Sequence, residues 1–128
     1  QPNASGNGRL IDMLRRMVID EQDADQGRLW LLRGCPSRWF ASGKSIIVGN
    51  APTLFGKMAI STKSSGGRIT VEIDCPDAKP LNEIRLVVRH PERRAMTRAT
   101  ADGAAQMIEG DAVVLRHPSG HLKVVCEY

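Results

Sequence analysis

Through most of this chain apolar residues recur at every second position, the spacing of strands that lay one face on a core. Ile69, Val71 and Ile73 alternate with Arg68, Thr70, Glu72 and Asp74, and Ile84, Leu86 and Val88 alternate with Arg85, Val87 and Arg89. Met58, Ile60 and Thr62 form a weaker strand, joined to the next through Ser64-Ser65-Gly66-Gly67, a hairpin signal. Two further hairpins are predicted: Asp102-Gly103 joins Met96–Ala101 to Ala104–Ile108, and Pro118-Ser119-Gly120 joins Ala112–His117 to His121–Tyr128. Strands at such short intervals predict an antiparallel sandwich with Ile69, Val71, Ile73, Ile84, Leu86, Val88, Val113, Leu122 and Val124 in its core. The helical crossovers that a parallel sheet requires are missing. VVRHP at Val87–Pro91 and VLRHP at Val114–Pro118 look alike, but each marks a strand exit where proline stops ladder pairing.

Near the start the period is helical. Leu10, Met13, Leu14, Met17 and Val18 share one helical face, Arg9, Asp12, Arg15 and Arg16 the other, and Asn7 is available as a cap. Ile11 and Ile19 widen the apolar surface, so the helix Leu10–Ile19 is expected to pack on more than one neighbour. The expected fold is therefore mainly β: an antiparallel β-sandwich over residues 28–128 with one N-terminal α-helix. Residues 1–27 comprise a polar terminus, that helix and an acidic connector, Asp20–Gly27. The connector invites comparison with a calcium loop, but alternate oxygen ligands with glycine at the sixth position occur in no register. The opening QPNASGNG has neither the charged nor the apolar region of a signal peptide and reads as part of a longer protein. Its Asn3-Ala4-Ser5 sequon carries little weight in a terminal segment.

A chain of 128 residues suits one domain. No apolar run approaches the roughly 20 residues of a helical membrane span, so no membrane partner is expected. The net charge of +4 is scattered, and the only tight basic run, Arg93-Arg94 followed by Arg98, lies beside a turn. With 4% aromatics and no basic stripe, nucleic-acid binding is not expected. Cys35, Cys75 and Cys126 form no CxxC and no Cys/His ligand spacing, which predicts reduced thiols that bind no metal.

Candidate chemistry is sparse, and no cofactor is expected. Glu72 and Asp74 project from one face of a strand at a separation near the lower end of that used by paired glycosidase carboxylates, yet carboxylates alternating with Arg and Thr usually line a solvent face. His117 and His121 lie across a predicted turn without a third donor, which favours a surface pair over a metal site. No nucleophile elbow occurs, and Ser64–Gly67 leads into a strand where a phosphate loop would lead into a helix. The aromatics are concentrated in Arg28–Lys44, which holds both tryptophans. Trp30, Arg38, Trp39 and Phe40 suit either a sugar-stacking platform or the core of an interface with another domain, and the interface is favoured because an aromatic-poor sandwich uses its tryptophans to anchor packing.

Two loop motifs carry a resemblance. Gly34-Cys35-Pro36-Ser37-Arg38-Trp39 and Asn50-Ala51-Pro52-Thr53-Leu54-Phe55-Gly56, with Ile84–Pro91 and the closing His117–Tyr128, resemble the C-terminal β-sandwich of bacterial (α/α)6-barrel, six-hairpin glycosidases. The resemblance runs from Leu10 onward and implies an accessory sandwich of a polysaccharide-degrading enzyme, with Leu10–Ile19 as the end of the last barrel helix. The barrel carries that family's catalytic carboxylates, so no catalytic role passes to any residue here. The implied partner is the parent's catalytic domain. Separated from it, the chain would expose an apolar surface prone to self-association, and an oligosaccharide is the alternative ligand.

Overall fold

The structure, a computed structural model, describes residues 15–128. Positions 10–14 of the predicted helix lie outside them; residues 15–18 are helical, and Ile19 already belongs to a strand. The strands are β1 (Ile19–Asp20), β2 (Arg28–Leu31), β3 (Ser45–Thr53), β4 (Gly56–Ser65), β5 (Arg68–Asp74), β6 (Glu83–Val87), β7 (Arg98–Ala101), β8 (Ala104–Ala105), β9 (Met107–Glu109), β10 (Ala112–Arg116) and β11 (His121–Glu127). They form a first sheet of five strands in the order β1-β2-β6-β10-β9 and a second of six in the order β3-β4-β5-β11-β7-β8. The protein is mainly β, with the two-sheet arrangement that the period-two pattern predicts.

Of the expected core residues, Ile69, Val71, Ile73, Ile84, Leu86, Val88, Val113 and Val124 are buried. Leu122, the first inward position of β11, is only half-buried. The hairpin at Ser65–Arg68 forms, joining β4 to β5. Asp102-Gly103 also turns a hairpin, with both residues at positive φ as a type I′ turn requires. It is shorter than expected, because the chain leaves the second sheet after Ala105 and enters the first as β9.

The third predicted hairpin does not exist. Arg116 ends β10 opposite Glu83 in the first sheet, whereas His121 opens β11 opposite Asp74 in the second, so Pro118-Ser119-Gly120 arches across the sandwich. Both flanking strands alternate as expected. Alternation reports which side chains face the core but is silent on which sheet the strand joins.

One strand pair is parallel, β2 with β6, where an all-antiparallel arrangement is expected. Its crossover needs no helix, because the chain travels from β2 through three strands of the opposite sheet before returning as β6. The join is tight. The carbonyl of Gly27 accepts both the Asn82 and Glu83 N–H groups, at 2.9 and 3.1 Å. Gly27 sits at φ +72, and a Cβ there would stand 2.4 Å from the Asn82 amide nitrogen, so no other residue fits unstrained.

The pair is held by charge on its outer face. Glu83, 8% exposed, accepts from Arg28 Nε at 2.7 Å and Arg85 Nε at 2.8 Å, and Arg85 reaches on to Glu109 at 2.6 Å. Burial alone raises the Glu83 pKa, but the hydrogen bonds from Arg85 and Arg28 outweigh it and hold the carboxyl below its ordinary 4.5. Because the folded value is the lower one, this stabilisation is complete above about pH 4.5 and is lost as the pH falls through the folded value. Glu83→Gln should therefore destabilise the protein by roughly 1.5–3 kcal/mol at neutral pH. In urea melts repeated at decreasing pH the gap to wild type should close. A gap that stays constant into acid would show that the clamp is not ionic.

Candidate docking groove at the edge of the second sheet

After β2 the chain reaches Pro36, whose φ of −60 starts one 3-10 turn, Ser37–Phe40. Three residues per turn send consecutive side chains in three directions: Arg38 is exposed, Trp39 is half-buried and Phe40 is in the core at 1% exposure. The preceding loop is pinned by Arg89, whose Nη1 donates to the carbonyls of Arg33 and Cys35 at 2.7 and 3.2 Å while its Nε faces Asp111 at 3.2 Å. The Lys44 N–H then donates to the Ala41 carbonyl at 2.9 Å and delivers the chain into β3.

Among the described residues β3 pairs only with β4, at the edge of the second sheet. Ile46 stands opposite Thr62 and Val48 opposite Ile60, which puts both on the inward side, yet both are only half-buried. At this corner the described residues of the first sheet offer only the two of β1, too few to cover them. The gap is a groove of about 490 Å³ lined by Val18, Trp39, Ile46, Ile47 and Val48, with Arg15 and Lys44 as its charged residues and no carboxylate among the described residues of its lining. Ile47 points outward at 76% exposure. A bulge between Val48 and Ala51, with Asn50 at φ +48, interrupts the ladder just beyond it. An edge strand with an exposed β-branched side chain and a cationic rim is suited to receiving another protein surface.

The four aromatic-region candidates do not gather into one surface. Trp39 and Arg38 lie on the same 3-10 turn, Trp39 in the groove wall and Arg38 on the surface. Phe40 faces the core and offers nothing to a partner. Trp30 stands on the outer face of the first sheet, where its indole N–H donates to Asp23 at 2.7 Å and the Arg33 and Arg85 guanidinium groups lie 4.1 and 5.6 Å from the ring. It is a packed structural element rather than an open platform. The connector is likewise structural at this point, since the hydrogen bond from Trp30 lowers the pKa of Asp23. Ile46, Ile47 and Val48 escaped the sequence reading, although three consecutive β-branched residues are themselves a strand signal.

The ionisable candidates lie elsewhere. On the outer face of the second sheet His121 bridges Asp74 (2.6 Å) and Glu72 (3.1 Å), with all three side chains at least half exposed. The imidazole thus stands between the two carboxylates considered as a glycosidase pair. His117 belongs to the arch, where its N–H donates to the Asn82 carbonyl at 2.7 Å. Among the described residues no group of three or more His, Cys, Asp or Glu has the geometry to hold a metal ion. The cysteines are free thiols: burial raises the pKa of Cys35 and Cys75 to about 11 and that of Cys126 to about 12. No protein-family profile matches the chain, and no curated protein or solved structure matches it either.

Thiols held protonated are poor nucleophiles. In the native state all three should react with a disulfide reagent far more slowly than a free cysteine, and unfolding without reductant should release three equivalents; a deficit would reveal a disulfide. His121 should titrate above its ordinary 6.5, because hydrogen bonds to Asp74 first and Glu72 second favour its charged form. The stability it contributes is present below the unfolded value and is lost as pH rises through the folded one. NMR titration of the His121 ring in Asp74→Asn should move its pKa back towards 6.5, and an unchanged pKa would refute the bridge.

Proposed function

We propose that this chain is a non-catalytic accessory β-sandwich that docks through the Trp39–Ile47 groove onto a partner domain. The resemblance supplies the partner's identity: the catalytic barrel of a polysaccharide-degrading glycoside hydrolase. The observation that carries the reading is the edge of the second sheet, where Ile46 and Val48 face inward with nothing among the described residues closing over them and Ile47 is 76% exposed. Burying one such side chain contributes about 1.5–3 kcal/mol, so a few of them suffice to seat a neighbouring domain. Among the described residues the rim contains Arg15 and Lys44 and no acid, which favours a partner surface that is apolar with carboxylates at its margin over a second copy of the same cationic groove. Arg15 and Val18, at the chain's entry into the sheets, lie in the groove wall, so a domain joined on that side would meet the groove directly.

The isolated chain should turn over no glycan. Ile47→Asp should leave its melting temperature nearly unchanged, because the side chain is exposed, and should weaken association with the co-expressed preceding domain by at least tenfold in sedimentation velocity. Retained association would refute docking at this edge. Oligosaccharides from plant and algal polymers, titrated against tryptophan fluorescence, test the alternative. Saturable binding lost in Trp39→Ala would make the chain a carbohydrate-binding module instead, and turnover of any glycan would overturn both readings.

A further inference from the structure

The connection between β6 and β7, which carries the chain from the first sheet to the second, holds two adjacent arginines on a backbone that little restrains. It leaves the first sheet through the buried His90 and is caught again where the Thr97 N–H donates to the Glu127 carbonyl at 2.8 Å. Between those anchors the Arg93 N–H closes a turn on the His90 carbonyl at 2.9 Å, and Arg93 itself sits at φ +58, a conformation uncommon outside glycine. Beyond that turn the N–H groups of Arg94 and Ala95 find no backbone acceptor among the described residues, and no backbone N–H reaches the carbonyls from Pro91 to Met96. Residues 92–95 are all exposed, and only Met96 turns into the core. Arg93–Met96 and the Gly34–Ser37 loop both border a cleft of about 770 Å³, so the segment is open on that side as well.

No other exposed basic residue within residues 28–128 combines these features. Lys57, Lys63, Arg68, Arg98, Arg116 and Lys123 lie in strands, where a ladder holds the backbone. The Arg38 carbonyl accepts the Ala41 N–H and the Lys44 carbonyl the Ser64 N–H, both at 3.3 Å. The Lys79 N–H donates to the Phe55 carbonyl at 3.1 Å, and the next residue is Pro80, whose ring fixes φ and removes the N–H from the bond that follows Lys79. At Arg93-Arg94 the side chains are as free as the backbone. Arg93 forms no ion pair among the described residues, and Arg94 meets only Glu92, at 3.8 Å with both side chains mostly exposed, a contact weak enough to be exchanged.

We propose that Arg93-Arg94 is a processing site, where an endoprotease of trypsin-type specificity cuts the Arg94–Ala95 bond and leaves a sandwich of two chains. Such a protease holds a carboxylate in its specificity pocket to pair with the guanidinium, and it needs a substrate backbone that is not already committed to a ladder. Water adds across the peptide bond: Arg94 keeps the new oxygen as a carboxylate, and Ala95 departs as an amine. The products stay together because each sheet contains strands of both. One product carries β1–β6 and the other β7–β11, with β10 paired to β6 along five positions and β11 to β5 along seven. Val113, Leu115, Val124 and Cys126 of the second product pack in the same core as Ile69, Val71, Ile73 and Ile84 of the first. The site is independent of the docking groove and stands or falls without it.

The test is limited digestion of the full chain with trypsin in native buffer, read at intervals by intact mass and N-terminal sequencing. Within residues 28–128 the first new N-terminus should be Ala95; a cut one bond earlier, after Arg93, reads the same site. The nicked protein should elute at the size of the intact chain and come apart into two pieces only in urea. The double variant Arg93→Gln/Arg94→Gln should survive at least ten times longer with an unchanged melting temperature, since both side chains are exposed. A first cut elsewhere within residues 28–128 would overturn the site, as would an unchanged lifetime of the double variant. Loss of the intact chain without a nicked intermediate would show that cleavage waits for global unfolding and would also overturn it. Pieces that separate without denaturant would refute the two-chain product.

Discussion

The parallel contact between β2 and β6 fixes the rest of the molecule. It sets Leu29 against Ile84 and Leu31 against Leu86 on the inward face, with Arg28 against Glu83 and Trp30 against Arg85 on the outward one. A slip of one residue would reverse every one of these, so the register is held on both faces at once: inside by apolar burial, outside by a carboxylate shared between two guanidinium groups. The outer clamp is directional where the inner one is not. Leucines tolerate a shift of register if they find other apolar neighbours, whereas Glu83, already held by Arg85 of its own strand, meets Arg28 across the pair in one alignment only.

Joining the ends of that pair obliges the chain to spend three strands in the opposite sheet, and the consequence is a mismatch between layers. The second sheet is the wider, and its outermost strand, β3, runs for nine residues beyond a facing edge that is two residues long. Ile46 and Val48 are inward by parity, and the described residues leave them only half covered. The groove is thus a product of topology, not of an unusual local sequence. The same topology makes the arch at Pro118–Gly120 necessary, since β10 completes the first sheet beside β6 while β11 must fill the second between β5 and β7.

What the sequence made legible follows from what a period of two encodes. Ile69–Ile73 and Ile84–Val88 announced their inward faces because a strand buried on one side must alternate, and the turns at Ser65–Arg68 and Asp102-Gly103 announced themselves through residues that tolerate positive φ. Sheet membership left no such trace. His117–His121 has the composition of a hairpin whether the strands on either side pair with each other or face each other across 10 Å of core, a spacing set by sheet packing and not by the turn. The parallel pair was illegible for a similar reason: its crossover is made of strands, and the sequence rule for parallel sheets looks for a helix.

The two tryptophans show why residue type alone does not settle function. Both belong to the same short stretch and both are half-buried, so composition treats them alike. Trp30 lies on a strand whose outer neighbours are arginines, and an indole face with cations over it is already satisfied. Trp39 lies on a 3-10 turn at the rim of an incomplete layer, packed on one side against the core and bordering the groove. An aromatic whose contacts are complete adds stability; one whose contacts are half made adds recognition, because the apolar area still facing solvent is released only when something else covers it. The difference lies in the neighbours that the fold brings up, Arg33 and Arg85 for the first and the uncovered β3 edge for the second. By that criterion, Trp39 and Ile47 have apolar contacts left to make, as do the exposed Leu54 and Met107 among the described residues.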